Sequence, residues 1–340
     1  MAVGHVSNAT TPGWHISLEE IMAARAQITD VALRTPLVRL DVDGAPSEIW
    51  LKLEALQPTG SFKVRGAGNA LRSANPAALA HGVWTASAGN MGSALAWLAH
   101  EMGIPCTVVV PHDAPPTKRE AIARRGARLV EVPFATYQEI QRRSNHNEHP
   151  ESIEGYERGL LIHPFADRAV MAGNGTIALE ILEDLPDVDA ILVPYGGGGL
   201  SCGIAAAVRA ARPATRVYAC EVASAAPLAA SLAAGEPVQV DYTPSFVTGM
   251  GAPFVFPQMW PLASRLLDGA LVVTLDQVAQ AMRILATRAH VAAEGAGAVA
   301  VAAALAGRAG AGKVACVVSG GNVDVDVLVD ILQGCRVTPQ

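Results

Sequence analysis

Four short stretches hold the residue types that could do chemistry. Lys63 stands in TGSFKVRGA, behind a Pro58-Thr59-Gly60 turn and between Phe62 and Val64. An amine beside an apolar, glycine-lined segment loses hydration, so its pKa falls and it becomes a nucleophile able to condense with a carbonyl. A lysine taken alone is ordinarily a solvated surface group, and the company it keeps has to decide. Gly196-Gly197-Gly198-Gly199 lie between the apolar run AILVP and LSCGIAAAV. Residues without Cβ let backbone N–H groups converge on an anion at a helix start, where the helix dipole adds attraction. A phosphate cradle is the reading with chemical content. The plainer one, a flexible connection, sits badly with the backbone entropy that a glycine-only turn forfeits. Ser87-Ala88-Gly89-Asn90 offers a hydroxyl, a bare N–H and an amide, which bind a carboxylate and hold a ring hydroxyl, or else simply cap a helix. Ser319-Gly320-Gly321-Asn322 is equally open in isolation.

Each stretch follows a strand pattern. Short β-branched runs recur as EIWLKLE (48–54), VWTAS (83–87), CTVVV (106–110), RLVEV (128–132), AILVP (190–194), RVYACE (216–221) and KVACVV (313–318). Helical patterns stand between most of them: MGSALAWLAHEM, PTKREAIARRG, GTIALEILEDL, LSCGIAAAVRAA and DQVAQAMRILATRAH. A first helix, SLEEIMAARAQI, opens on Ser17 and Glu20 as a capping box does. Strands alternating with helices of this length predict an α/β fold of parallel sheets covered on both faces. Ligands of open α/β sheets bind at the carboxyl ends of the strands, where all four stretches fall. The polar segment 141–159 separates an early set of βα units from a larger later set, although a solvated loop within one lobe would read the same. The expected division is a large lobe from 1–70 and 156–340 and a small mobile lobe from 71–155.

Composition narrows the partners. The chain has 340 residues, 51% of them hydrophobic and only 16% charged, against about a quarter charged in an average soluble domain. Disorder is excluded, and the length suits one large two-lobed body. With 31 acidic and 25 basic residues and a net charge of −6, no basic stripe awaits nucleic acid. Pro194 and the four glycines interrupt the longest uncharged stretch, so no membrane span is read. The start shows no charged and apolar leader, and the five cysteines are odd in number and widely spaced, as buried thiols of a cytoplasmic protein are.

Some patterns carry less than they suggest. Gly295-Ala296-Gly297 with Ala300 fits a loose dinucleotide fingerprint, but AHVAAE before it reads as helix and no acid follows at ribose distance. His146 and His149 fall in the polar segment beside Pro150, where a solvated face is the better reading than a metal pair. No Gly-x-Ser-x-Gly nucleophile elbow occurs between a strand and a helix.

Together the four stretches resemble the fold-type II pyridoxal-phosphate enzymes and, within them, the serine/threonine dehydratases and serine racemases. The likeness runs from about Ser17 to Val327 through motifs in order: RTPL (34–37), KLE (52–54), LQPTGSFKVRGA (56–67), TASAGN (85–90), HPFAD (163–167), AGNGT (172–176) with ALE (178–180), VPYGGGGL (193–200), Glu294 with GAGA (295–298), and VVSGGN (317–322). The resemblance implies a tryptophan synthase β-like body of two twisted, mostly parallel sheets with pyridoxal 5'-phosphate between the lobes. It implies that Lys63 carries the cofactor with Phe62 packed beside the ring, and that Gly196, Gly197, Gly198, Gly199 and Leu200 hold the phosphate. Asn90 would hydrogen-bond the ring hydroxyl, and Ser319 would face the pyridine nitrogen. Ser87, Ala88, Gly89, Asn90 and Met91 would take the substrate carboxylate.

Departures shape the expectation further. Racemases of the family place a second serine after the first in this loop; here it is Ala88, which favours elimination. Many dehydratases have histidine where this chain has Met91, which leaves the side chain of the substrate open, including hydroxyaspartate, phenylserine or a modified 3-hydroxy amino acid. Several relatives bind a divalent cation near a strand-end glutamate matched by Glu221, but Pro227 stands where an acid would complete the site, so no metal is expected. In Gly173-Asn174-Gly175-Thr176, Asn174 replaces the usual glutamine of a shaping loop. β-Replacement enzymes carry Gly-Thr-Gly-Gly and Asn-Thr-Gly patterns that are missing here. No regulatory module is recognisable after residue 335, which favours the catabolic type. The expected protein is a cytoplasmic, homodimeric ammonia-lyase acting on threonine or serine. Serine racemase-like activity, β-replacement, or a binding protein that keeps the cofactor without turnover are the alternatives.

Overall fold

A computed structural model describes residues 15–114, 116–142 and 159–335. The first half runs α1 (Leu18–Gln27), β1 (Leu37–Arg39), β2 (Glu48–Lys52), α2 (Lys63–Ser73), α3 (Pro76–Leu79), β3 (Val83–Ala86), α4 (Asn90–Glu101), β4 (Cys106–Pro111), α5 (Pro116–Ala123), β5 (Arg128–Val132), α6 (Phe134–Arg142) and β6 (Leu160–Leu161). The second half runs α7 (Arg168–Asp184), β7 (Ala190–Pro194), α8 (Gly199–Ala211), β8 (Arg216–Val222), α9 (Pro227–Ala234), α10 (Trp260–Leu266), β9 (Gly269–Val273), α11 (Leu275–Arg288), α12 (Gly295–Leu305), β10 (Lys313–Val317) and α13 (Val325–Gln333).

Among the described residues the strands form two sheets. A six-stranded one has the order β1-β2-β10-β7-β8-β9, parallel except where β1 meets β2, and a four-stranded one, β5-β4-β3-β6, is parallel throughout. The smaller sheet takes in β6, at 160–161. Every residue of β7 is buried, as expected of a strand covered on both faces. Its side chains alternate between two cores: Ile191 and Val193 pack with α1, α7, α8 and α10, whereas Ala190 and Leu192 pack with α11, α12 and α13. The smaller sheet has its own core, from α2, α4 and strand residues such as Val108 and Val110.

The capping box expected at α1 is present: the Ser17 hydroxyl accepts the Glu20 N–H at 3.2 Å and the Glu20 carboxylate accepts the Ser17 N–H at 2.8 Å. The expected strand runs all appear within a residue or two. The short β1 and β6 and the five-residue β9, GALVV, are additions that the sequence reading lacks.

Two local readings are corrected. AHVAAE is no helix: α11 stops at Arg288, His290 takes φ 57°, and the chain takes up no regular structure before Glu294, whose N–H bonds the Gly320 carbonyl at 3.0 Å. Gly173-Asn174-Gly175-Thr176 is no loop but lies inside α7. Its glycines serve close helix crossing: a Cβ on Gly173 would overlap the Arg65 carbonyl of α2, and one on Gly175 would come within 2.9 Å of the Gly203 carbonyl of α8. The His146 and His149 reading lies outside the described residues.

Candidate active site

Lys63 is the first residue of α2, so its amine sits at the positive end of a helix. The segment before it is laced to the loop after β10. Phe62 N–H bonds the Ser319 carbonyl at 3.0 Å and Gly321 N–H bonds the Gly60 carbonyl at 2.9 Å. The Asn322 amide donates to the Thr59 carbonyl at 2.9 Å and to Asn90 Oδ1 at 2.8 Å. Asn90 in turn donates to Glu294 Oε1 at 2.6 Å. These bonds draw the ends of β2, β3 and β10 and the start of α12 around one cleft.

The Lys63 ammonium donates to the Pro164 carbonyl at 2.6 Å and lies 5.0 Å from the centre of the Phe62 ring. Desolvation pulls its pKa down to about 8, opposed in part by the Glu294 carboxylate. Burial pushes Glu294 up to about 7, against the Asn90 hydrogen bond and the charges of Lys118 and Lys63. A lysine and an acid both shifted toward neutrality in one cleft are what proton transfer near pH 7 requires.

The glycine loop lies at the start of α8. Gly198 is its N-cap in the left-handed region, at φ 91°, and no side chain caps the helix, which leaves its first N–H groups for an outside acceptor. Phe165 walls the loop: a Cβ on Gly197 would overlap its ring, and one on Gly199 would lie 2.6 Å from its carbonyl oxygen. The Phe165 segment is shaped by buried His163, whose Nδ1 accepts the Ala166 N–H at 2.9 Å.

The loop Ser87-Ala88-Gly89-Asn90 is half-buried and runs into α4, whose N-cap Gly89 also makes no side-chain cap. Ser319 is buried at the same cleft through its pairing with Phe62. Leu200, in the first turn of α8, is buried in the core of the larger sheet, and Met91 is 1% exposed within the core of the smaller sheet, so neither side chain opens into the cleft. Both could contribute only backbone there.

Sequence reasoning passed over several participants. Glu294 stood in a quoted motif without a role, and an acid preceding a run of small apolar residues was its signal. Lys118 of α5 donates to Thr248 at 3.0 Å, and the Arg142 guanidinium of α6 lies 4.4 Å from the Phe254 ring centre, so both reach from the smaller sheet's helices to the segment between α9 and α10. No local pattern marks them. Glu221 accepts the N–H groups of Leu228 at 2.9 Å and Ala229 at 2.8 Å, which ties its carboxylate to the start of α9. Among the described residues no three His, Cys, Asp or Glu side chains gather as a metal site.

Residues 28–320 match the family model described as pyridoxal-phosphate dependent enzyme. The chain belongs to this family. It is 40% identical to L-threonine ammonia-lyase of Geobacter sulfurreducens over 289 residues, 84% of this chain and 70% of that one. It is 36% identical to L-threonine ammonia-lyase of Thermotoga maritima, covering 93% of this chain and 78% of that one. Maize serine racemase superposes with a TM-score of 0.82 at 31% identity, over 94% of this chain and 98% of that one. The chain is thus a fold-type II pyridoxal-phosphate enzyme of the serine/threonine dehydratase kind. Its residues suit the cofactor: a glycine loop packed against Phe165, with no side-chain cap on the helix it opens, could take the phosphate, and a lysine already shifted toward its neutral form could take the aldehyde.

Proposed function

We propose that this chain converts L-threonine or L-serine to the 2-oxo acid and ammonia by α,β-elimination. The observation that carries the choice lies in the loop that would take the substrate carboxylate: desolvation pulls the Lys63 amine down to about 8, whereas position 88 of the loop bears a methyl that can neither give nor take a proton. Pyridoxal phosphate, when bound, supplies an electron sink conjugated with the substrate α-carbon.

In this reading Lys63 would carry the cofactor, and its amine, free once substrate is bound, takes the α-proton. Phe62 would pack beside the bound ring, Asn90 would hold its hydroxyl, and Ser319 would meet its nitrogen without a charge to hold a proton there. Gly196, Gly197, Gly198, Gly199 and Leu200 hold the phosphate through backbone N–H groups at the positive end of α8. Ser87, Ala88, Gly89, Asn90 and Met91 take the substrate carboxylate, with Ala88 and Met91 offering only N–H. The α C–H and β C–OH bonds break, the proton taken from the α-carbon balances the departing hydroxide as water, and the released enamine gains a proton from solvent at its β-carbon to become an imine, whose hydrolysis yields the 2-oxo acid and ammonia.

The small lobe, 71–155, closes over substrate in this reading, and the Lys118–Thr248 and Arg142–Phe254 contacts are the ones such a motion would remake. Two finer assignments have separate support. A homodimer is favoured by the exposed Val325, Val329 and Leu332, spaced along one face of α13. A cytoplasmic site is favoured by Cys106, Cys202, Cys220 and Cys316, which are free and buried.

A panel of 3-hydroxy amino acids scored for ammonia, 2-oxo acid and D-isomer tests the function. L-threonine or L-serine is expected to give equal amounts of ammonia and 2-oxo acid with no D-isomer. D-isomer in excess of 2-oxo acid would move the protein to the racemases. Yellow protein inert toward the whole panel would leave a binding protein.

A further inference from the structure

Tyr195, the residue before the four glycines, is 3% exposed, and its hydroxyl has no hydrogen-bond partner among the described residues. A buried hydroxyl left unpaired costs the fold its desolvation, so it calls for an acceptor from outside the chain. The hydroxyl lies against the glycine loop: it is 3.2 Å from where a Cβ on Gly198 would sit, beside the Met259 methyl. Gly198 is the N-cap of the thirteen-residue α8, whose first N–H groups have no side-chain cap. The loop and the hydroxyl are therefore two separate deficits at one place, a set of donors without an acceptor and a donor without an acceptor. Burial, with the nearby Cys202 and Glu221, keeps the phenol protonated by pushing its pKa well above the ordinary value, so it can only donate to an anion.

We propose that the Tyr195 hydroxyl donates a hydrogen bond to the phosphate ester of the cofactor, adding one side-chain donor to a cradle otherwise built of backbone. The inference rests on the reading of Gly196 to Gly199 as the phosphate loop. It also predicts opposite effects of one substitution on the empty and the loaded protein. Without cofactor, Tyr195→Phe removes a polar atom that bonds nothing, so the empty protein should be as stable or more stable. With cofactor, the same change removes a bond to a charged acceptor, and such bonds are worth about tenfold or more in affinity.

The test compares wild type and Tyr195→Phe, each stripped of cofactor, by thermal melting and by equilibrium dialysis against pyridoxal phosphate and against pyridoxal. The expected result is an unchanged or higher Tm, a Kd for pyridoxal phosphate raised about tenfold or more, an unchanged Kd for pyridoxal, and a displaced phosphorus resonance in the loaded variant. Equal Kd values and the same resonance would overturn the proposal, as would a lower Tm, which would mean that the hydroxyl already bonds within the protein or to a trapped water. Gly197→Val separates the underlying reading: if that variant, with its side chain driven into Phe165, binds pyridoxal phosphate as wild type does, the phosphate loop itself has been misplaced.

Discussion

Lys63→Ala should lower ammonia release by about 10⁴-fold or more, because one side chain is asked both to anchor the cofactor and to take the α-proton, and a positioned base alone contributes about 10²–10⁴. Borohydride reduction of the wild type should fix the cofactor to the peptide containing Lys63 and leave the variant unlabelled. The variant should still fold. Its first helical position accepts alanine readily, and the amine it loses is destabilised by burial. Since the folded pKa, about 8, lies below the ordinary lysine value, the unfolded chain binds more protons between the two and wild-type stability rises with pH across that window. Lys63→Ala removes this penalty, so its melting temperature should match or exceed that of wild type below pH 8 and converge toward it above. Cofactor uptake by the empty wild type should climb about tenfold per pH unit below 8 and level off beyond, whereas an ordinary lysine would keep climbing to about pH 10. Residual turnover at the wild-type rate, or a label on another lysine, would remove the mechanism.

The strands were legible because each is a short β-branched run, even the half-exposed β5, and AILVP shows this best, with all five residues buried. The four reactive stretches were legible for a related reason. A loop at a strand end has to supply glycine, serine or asparagine where backbone must approach a ligand, and no packing demand disguises those choices. What escaped was set by partners remote in sequence. Lys63 reads as part of a loop because its neighbours are Gly60, Ser61 and Phe62, yet it opens a helix that is held by pairing with Ser319, more than two hundred residues on. AHVAAE reads as helix by composition, but His290 turns left-handed and the Gly320 carbonyl, not a helix carbonyl, takes the Glu294 N–H. Gly173 and Gly175 read as turn residues because glycine most often marks turns, while here they let three helices touch. The least legible feature was charge inside the core, since KLE, KVRGA and ALE look like solvated faces until α2 and α7 come together.

That buried charge carries the other large effect expected. Arg65 of α2, 2% exposed, donates to both oxygens of Glu54 at 2.8 and 2.9 Å and to those of Glu180 at 2.7 and 2.9 Å. It also reaches Thr176 at 3.1 Å and the Leu33 carbonyl at 2.9 Å, and fully buried Lys52 donates to Glu180 at 2.5 Å. Burial alone would raise the Glu54 carboxyl, but Arg65, helped by the Thr35 hydrogen bond and the Lys52 charge, outweighs it and holds the pKa below its ordinary value. The two cations and two carboxylates balance, so the set is tolerable only while complete. Arg65→Met keeps the bulk and removes the fork, leaving two carboxylates facing one ammonium; breaking such a set costs about 3–5 kcal/mol. Urea unfolding at pH 7 should show the loss as a lower midpoint with the slope unchanged. The sign with pH follows from the carboxyl left without its partner. Its folded pKa moves above the unfolded value, so the folded variant takes up a proton first as pH falls, and the gap to wild type should shrink below about pH 5. Adding Glu54→Gln to Arg65→Met should recover part of the midpoint by removing the unpaired charge. Recovery would also bring back cofactor binding, because α2 carries Lys63 two residues before Arg65 and a helix loosened at its base cannot hold the amine against Pro164. A single variant as stable as wild type at pH 7 would mean that water enters this layer and that the network does not hold α2 in place.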